Sequence, residues 1–208
     1  MEQRSPEWFT ARSGLATASE FATILTKGRK GEPSMTRARY AMELVAERIT
    51  GIPNPSFYSK PTAWGTEQEP LARVAYELHT GCFVEEAGFI RHPSFKAGCS
   101  PDMLVDNDGG GEIKCPYNSD IHLSTILNGM PAEHKPQVQG TLWVTGREWY
   151  DFVSFDSRQP EGLQLYIERQ YRDEEFIRRL ELEVVMFLHE VSEIEQQLKQ
   201  RAQQWTAH

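Results

Sequence analysis

The sequence predicts an α/β (α+β) fold, in which helices flank a central mixed β-sheet and a long C-terminal helix follows. Apolar residues recur at three- or four-residue spacing in the first part of the chain and again near its end, which is typical of amphipathic helices. Short apolar segments bounded by glycine, proline and asparagine lie between these regions and indicate strands. Both kinds of element are therefore expected in one chain.

The first predicted helix covers residues 5–11, and a second begins near Thr17, because Thr17 and Glu20 have capping-box spacing ahead of Phe21. Helical spacing predicts further helices at residues 36–49, 66–79, 121–127 and 135–145, and a long amphipathic helix over about 176–198. The residues of the 66–79 helix expected to face the core are Leu71, Val74, Ala75 and Leu78. Strands are predicted at residues 83–90, 98–105, 112–115, 149–155 and 163–168.

Length and composition predict a single domain covering residues 1–208. The chain is 39% hydrophobic and 25% charged, and a chain of this size can bury a substantial core. No apolar run approaches the roughly 20 residues of a membrane span, and no basic-apolar leader opens the chain, so a cytoplasmic location is expected. Cys82, Cys99 and Cys115 lack Cys-x-x-Cys spacing and are expected to be reduced core residues.

The formal net charge of -8 limits how the chain can bind nucleic acid. Proteins that hold nucleic acid through surface charge are usually basic. Affinity for DNA would have to come from enclosure, from cations bound at clustered carboxylates, or from oligomerisation.

Two short segments carry the strongest chemical signal: Ser100-Pro101-Asp102, and Glu112-Ile113-Lys114 just after a run of three glycines. The stretches that contain them, residues 98–105 and 112–115, are bounded by Asn107 and the glycines and are predicted to be two strands joined by a tight turn. Residues i and i+2 share a strand face, so Glu112 and Lys114 point the same way and Asp102 can lie opposite them. Two carboxylates suit a divalent cation, and an ammonium can orient or deprotonate water, as phosphodiester hydrolysis requires. The alternative is a Pro-Asp turn beside a solvated strand face.

The start of the second helix offers a second chemical feature. Backbone amides at a helix N-terminus bind anions, Ser19 adds a hydroxyl group, and Arg12 adds a guanidinium that matches phosphate. The alternative is that Thr17 and Glu20 only cap the helix and that Arg12 is an ordinary surface charge.

Several blocks of residues together point to a family. They are Arg12-Ser13-Gly14, Thr17-Ala18-Ser19-Glu20, Trp64-Gly65 with Glu69, Cys99-Ser100-Pro101-Asp102, Glu112-Ile113-Lys114-Cys115-Pro116, and Gln137-Val138-Gln139 with Trp143-Val144-Thr145. In this order, over about residues 8–155, the chain resembles the phage lambda exonuclease family, also called YqaJ-type viral recombinases, of the PD-(D/E)xK nuclease superfamily. The resemblance implies a restriction-endonuclease-like core. Pro70 departs from the pattern, because a proline directly after Glu69 fits a helix only in its first turn.

The resemblance also implies roles for individual residues. Asp102 and Glu112 would bind metal with the Ile113 backbone carbonyl, and Lys114 would lie next to the attacking water. The residues implied to complete the site are Glu69, which holds or positions a metal directly or through water, and Gln137, which closes the site. The residues implied to bind a 5′-terminal phosphate are Arg12, Ser19 and Thr17. For Glu69 an ion pair with Arg73 is the alternative, and for Gln137 a structural hydrogen bond.

The implied activity is a 5′-to-3′ exonuclease that uses two Mg²⁺ ions, with Mn²⁺ able to substitute. It would release 5′-mononucleotides from double-stranded DNA ends and leave a 3′ overhang for phage-type recombination by strand annealing. The resemblance also implies that three copies of the chain form a ring and that a single-strand annealing protein is the partner. No binding to a membrane is implied. Two alternatives stay open: an endonuclease of the same superfamily, and a non-catalytic scaffold that binds DNA ends. A relative with an iron-sulfur clamp is disfavoured, because such clamps need four cysteines and the chain has three.

Overall fold

The computed structural model describes residues 1–54 and 59–206 and confirms a mixed α/β fold with a long C-terminal helix. Its helices are α1 (Pro6–Arg12), α2 (Phe21–Leu25), α3 (Met35–Thr50), α4 (Lys60–Thr80), α5 (Ser119–Asn128), α6 (Lys135–Thr145) and α7 (Glu174–Thr206). Its strands are β1 (Ala16–Thr17), β2 (Val84–Glu85), β3 (Ile90–Arg91), β4 (Ala97–Cys99), β5 (Met103–Val105), β6 (Gly109–Lys114), β7 (Trp149–Phe155) and β8 (Leu165–Tyr171). Short 3-10 helices lie at Ala18–Glu20, Ala132–His134 and Glu161–Leu163.

Serine caps start three of these helices. The side chains of Ser5, Ser34 and Ser59 accept hydrogen bonds from backbone N–H groups in the first turns of α1, α3 and α4. Each cap satisfies an amide that the helix leaves without a partner. The predicted capping box at Thr17 is not formed, because Thr17 makes no side-chain cap bond and Glu20 instead accepts from Thr23 at 2.9 Å.

Among the described residues the strands form two mixed sheets. The larger has the order β2-β5-β6-β7-β8, in which only β6 and β7 run parallel, and the smaller has the order β1-β4-β3. The crossover between β6 and β7 contains α5 and α6, as a parallel connection requires. This crossover brings the start of α6 beside the end of β6.

Two predicted strands are each divided between the sheets. Residues 83–90 contain β2 and the first residue of β3, and residues 98–105 contain most of β4 and all of β5. In both cases the strand pattern is correct, but a non-strand segment separates the two halves. The break at Ser100-Pro101-Asp102 carries the chain from the smaller sheet to the larger one. Proline has no N–H to donate to a ladder, which favours a break at this point.

The glycine run at residues 109–111 is not the predicted turn. The turn lies at residues 106–108, and Asp106 takes a positive φ of 47° there. Gly109, Gly110 and Gly111 begin β6 and pair with both β5 and β7. A Cβ atom at these positions would collide with the rings of Trp149 and Tyr150 and with Met103. The glycines are therefore needed for close packing of neighbouring side chains.

The predicted inward face of α4 is wrong for three of its four residues. Leu71, Val74 and Leu78 are 51%, 54% and 82% exposed, whereas Ala75 packs against the second core and the buried residues of this helix are Gln68, Ala72 and Tyr76. The buried face is selected by polar partners: the Tyr76 hydroxyl donates to Asp151 at 2.8 Å, and Gln68 accepts from Ser157 at 2.5 Å. Apolar spacing alone does not reveal such a face.

Helix α4 also begins six residues earlier than predicted, at Lys60 rather than near Thr66. Pro70 therefore lies inside the helix and not in its first turn. Because proline has no N–H, the Thr66 carbonyl lacks its usual helical hydrogen bond. Glu69 precedes this interruption.

The main core lies between α2, α3, α6 and α7 and the smaller sheet, and a second core lies between α4 and the larger sheet. Helix α7 buries Leu180, Val184, Phe187 and Val191, as its spacing predicts, while Leu198 is 37% exposed. The cysteines are free thiols, with Cys99 buried and the other two partly buried. Within the described ranges, no helix combines the length and apolar character needed to cross a membrane.

The packing of α6 on α2 yields a prediction about stability. A Cβ atom on Gly140 of α6 would overlap the Phe21 ring, so Gly140→Ala is expected to lower the free energy of unfolding by about 1–3 kcal/mol. Gly65→Ala in α4 is the matched control, because that helical glycine has open space around it and should gain stability by up to about 1 kcal/mol. Denaturant unfolding measures both, and equal effects would contradict the packing argument.

Candidate functional site

The site forms where β5 and β6 pair. Met103 lies opposite Gly111, so the residue before β5, Asp102, falls beside the end of β6. The Asp102 carboxylate accepts a hydrogen bond from the Ile113 backbone N–H at 2.7 Å. This bond fixes Asp102 against the strand that carries Glu112 and Lys114, as the sequence predicts.

Glu112, Lys114 and Gln137 form one hydrogen-bonded cluster. One Glu112 carboxylate oxygen accepts from the Lys114 amine at 2.6 Å and from the Gln137 side-chain amide at 2.5 Å, and the Gln137 oxygen accepts from Lys114 at 3.3 Å. Glu112 is 3% exposed. Helix α6 supplies Gln137 from its first turn, because the β6–β7 crossover brings that turn beside the end of β6.

Charges in the cluster shift the pKa values of two groups. Burial raises the pKa of Asp102 well above its usual range, and the negative charges of Glu112 and Glu69 raise it further. For Lys114, burial lowers the pKa, but Glu112 and Asp102 raise it, and the net shift is upward. Asp102 and Glu112 thus place two carboxylates beside one ammonium, and an additional cation would stabilise the charged form of Asp102.

Glu69 reaches this region from α4 and is held by two arginines. Its two carboxylate oxygens pair with Arg4 at 3.3 Å and Arg73 at 3.4 Å. Arg73 also donates to the Asp102 backbone carbonyl at 3.3 Å, which ties α4 to the strand pair. The ion pair between Glu69 and Arg73 that the sequence offers as an alternative is thus present, next to the proposed metal-binding residues.

The donor set at the site fits a hard divalent cation. Within residues 1–54 and 59–206, no three Asp, Glu, His or Cys side chains are grouped closely enough to hold a metal ion. The chain offers instead the carboxylates of Asp102 and Glu112, which share one cavity wall. Mg²⁺ is usually held by one or two carboxylates and completes its coordination with water and substrate phosphate. Asp102 and Glu112 would therefore hold such an ion.

Arg12, Thr17 and Ser19 are brought together in a second cluster. Arg12 donates to the Thr17 hydroxyl at 3.3 Å, the Thr17 and Ser19 hydroxyls are 3.2 Å apart, and the Arg12 guanidinium lies 4.2 Å from the centre of the Trp8 ring. Burial lowers the pKa of Arg12. Among the described residues Arg12 has no ion-pair partner. Glu47 and Glu20 attract Arg12 without pairing with it, so the partly buried guanidinium can still bind an incoming anion.

One cavity joins the two clusters. It has a volume of about 120 Å³, and its walls include Arg12, Thr17 and Ser19 as well as Asp102, Glu112 and Gln137. A second cavity of about 260 Å³ lies behind Arg12, so this side chain forms part of the wall of both. The sequence predicts both residue groups, and the fold makes them walls of a single space.

Three residues near the site were not predicted from the sequence. Gln3 donates to the Pro101 carbonyl at 2.8 Å, Trp8 donates to the Ser100 hydroxyl at 2.8 Å, and Arg4 pairs with Glu69. Trp8 and Arg12 are four residues apart in α1, and that spacing could have indicated their contact. Gln3 and Arg4 carry no comparable signal, because their partners are distant in sequence.

Comparisons with known proteins agree with this architecture. The alkaline exonuclease LHK-Exo from Laribacter hongkongensis is 40% identical, with a TM-score of 0.89, and the match covers 97% of this chain and 100% of that one. The same protein in complex with dAMP gives the same values. A phage related exonuclease from Haemophilus somnus 129PT, at 16% identity and a TM-score of 0.68 over 88% of this chain and 96% of that one, shares the fold. The comparison with curated protein sequences found no match.

A family model provides the assignment. The model of the YqaJ-like viral recombinase domain matches residues 7–148, which is more than half of the chain and includes both residue clusters of the site. The family resemblance predicted from the sequence is thereby confirmed. The chain belongs to the YqaJ-like viral recombinase domain family.

Proposed function

We propose that this chain is a metal-dependent exonuclease that degrades double-stranded DNA from its 5′ ends, releasing 5′-mononucleotides and leaving a 3′ single-stranded overhang. The observation that carries the proposal is the shared cavity, in which an unpaired guanidinium and two hydroxyls face a pair of carboxylates. Such a cavity suits a substrate with a terminal phosphate at one end and a scissile phosphate at the other. The names of the solved relatives, which include alkaline exonuclease and a complex with dAMP, support the same class of reaction.

Two Mg²⁺ ions, with Mn²⁺ able to substitute, would supply charge that neutralises the scissile phosphate and lowers the pKa of water. Asp102 and Glu112 would hold them with the Ile113 carbonyl, and Glu69 would help directly or through water. Lys114 is assigned to orienting the attacking water, and Gln137 to closing the site. A bond forms between the water oxygen and phosphorus as the bond from phosphorus to the 3′ oxygen breaks, and that oxygen leaves protonated on the mononucleotide.

Recognition of an end is assigned to Arg12, Thr17 and Ser19. A phosphate inside a continuous strand has nucleotides on both sides, whereas a terminal phosphate has only one and fits more easily into the shared cavity of about 120 Å³. With that phosphate bound, the next phosphate along the strand can reach Asp102 and Glu112. Each cut then leaves a new 5′ phosphate, which can enter the same pocket.

The net charge of -8 bears on how the protein would stay on DNA. Because surface charge favours little non-specific binding, we propose that three copies form a ring around the duplex and that enclosure supplies the grip. A single-strand annealing protein that coats the 3′ overhang is the proposed partner, with both proteins acting in the cytoplasm. The domain that does this is proposed to cover residues 1–208.

The decisive test uses linear duplex DNA labelled at either the 5′ or the 3′ end, incubated with Mg²⁺. The parent protein is expected to release 5′ label at once as mononucleotide and 3′ label only late. Asp102→Asn, which keeps the shape and can still accept from the Ile113 N–H, is expected to release neither. Cleavage of a covalently closed circular duplex would favour an endonuclease, and absence of any Mg²⁺-dependent release would favour a DNA-end binding scaffold.

Lys114→Ala is expected to slow single-turnover cleavage by about 100-fold or more while leaving DNA affinity nearly unchanged, because the amine acts on the water and the transition state. Lys114→Arg should restore little, since a planar guanidinium differs from a compact ammonium in its shape and in the placement of its donors. Lys199→Ala on the exposed part of α7 is the control. A parent-like rate in Lys114→Ala would remove the proposed role of this residue.

Arg12→Ala is expected to abolish a preference for 5′-phosphorylated over 5′-hydroxyl ends. A hydrogen bond to a charged group contributes roughly 1.5–3 kcal/mol, so the parent should prefer the phosphate by about tenfold or more, and the variant should show a rate ratio near one. Arg39→Ala, which removes an exposed arginine from α3, should keep the parent ratio. Because the ratio is measured within each variant, a loss of folded protein does not mimic the result. An unchanged ratio would show that Arg12 does not bind the end.

A further inference from the structure

A cavity of about 240 Å³ has Lys114 in its wall. His134 and Phe152 also line it, Pro116, Ile121 and Pro131 add apolar walls, and Glu133 adds a carboxylate. It is smaller than the roughly 300–1,000 Å³ of pockets for drug-sized ligands, so it suits a single ring system. Because Lys114 also contacts Glu112 and Gln137, this cavity adjoins the proposed reaction centre.

His134 gives this cavity an aromatic ring that can also form hydrogen bonds. Its ring stacks on Phe152 with centroids 5.1 Å apart and an interplanar angle of 29°. Within the described part of the chain, no hydrogen bond satisfies either of its ring nitrogens. His122 provides the contrast, because its two ring nitrogens are satisfied by Ser154 at 2.7 Å and the Leu163 carbonyl at 2.8 Å. His122 is thus a structural residue, whereas the ring nitrogens of His134 remain available to solvent or to a ligand in the cavity.

The protonation state of His134 also favours an uncharged ring as its ligand. Burial and the nearby charge of Lys114 together lower the pKa of His134 to about 4, although the negative charge of Glu133 opposes them. The imidazole is therefore neutral near pH 7, with one nitrogen as donor and the other as acceptor. A neutral ring of this kind can stack on any nucleobase or bond to its edge.

We propose that this cavity receives the base of the nucleotide on the 3′ side of the scissile phosphate, held against His134. The inference rests on the proposed function, because the order of the subsites follows from it: terminal phosphate at Arg12, scissile phosphate at Asp102 and Glu112, next nucleotide beyond Lys114. That nucleotide carries the new 5′ phosphate after each cut. Its base would therefore hold the strand while the released mononucleotide leaves.

The test compares binding of two DNA duplexes, each with a phosphorylated three-nucleotide 5′ overhang, that differ only in whether the second nucleotide has a base or an abasic analogue. The overhang is single-stranded, so removing the base changes no base pair. Fluorescence anisotropy with Ca²⁺ in place of Mg²⁺ gives the affinities. The parent is expected to bind the abasic DNA about fivefold more weakly, the lower end of base–aromatic stacking effects.

Variants at His134 assign the effect to the cavity. His134→Ala should bind the normal DNA about as weakly as the parent binds the abasic DNA and should lose nothing further when the base is removed. His134→Phe should keep the parent response through stacking, and His189→Ala on the exposed face of α7 is the matched control. Equal affinity of the parent for the two DNAs, or losses that multiply in His134→Ala, would overturn the proposal.

The outcome separates this inference from the proposed function. If the parent degrades linear duplex with Mg²⁺ but binds both DNAs equally, the base subsite is wrong and the exonuclease assignment survives. If the parent discriminates against the abasic DNA through His134 but degrades nothing, the subsite is correct and the exonuclease assignment fails.

Discussion

The pairing of β6 with β5 on one side and β7 on the other is the constraint on which the rest of the site depends. The β5 pairing brings Asp102 to the Ile113 N–H, and the β7 pairing requires the crossover that delivers Gln137. If β6 shifted by one residue, Glu112 and Lys114 would turn to the opposite face of the sheet. The ladder therefore determines both which side chains meet and which face they share.

Much of this arrangement could be predicted from the sequence because its signals are local. The helices at residues 36–49, 121–127 and 135–145 and the strand at 149–155 agree with the structure within two residues. The two clusters of site residues come together because short motifs on adjacent strands and at one helix start are close along the chain. Their chemical roles stay predictions.

The differences arise where long-range packing outweighs local pattern. The buried face of α4 is chosen by Asp151 and Ser157, residues that lie far along the chain, and no apolar spacing encodes such partners. The Pro101 break separates two sheets that a continuous strand pattern would join. The cavity lined by both Arg12 and Glu112 depends on the same long-range packing. The sequence therefore predicts the residues that line it, but not that the two groups share one cavity.

The glycine run that opens β6 has a consequence for how this chain can change over time. Side chains of the two neighbouring strands, Trp149, Tyr150 and Met103, occupy the space that a Cβ atom at these three positions would need. A larger residue can therefore replace one of the glycines only after the neighbouring side chain has been replaced by a smaller one. Mutations at these positions are therefore epistatic. Strand β6, which carries the proposed metal-binding Glu112, can therefore change at these positions only together with β5 and β7.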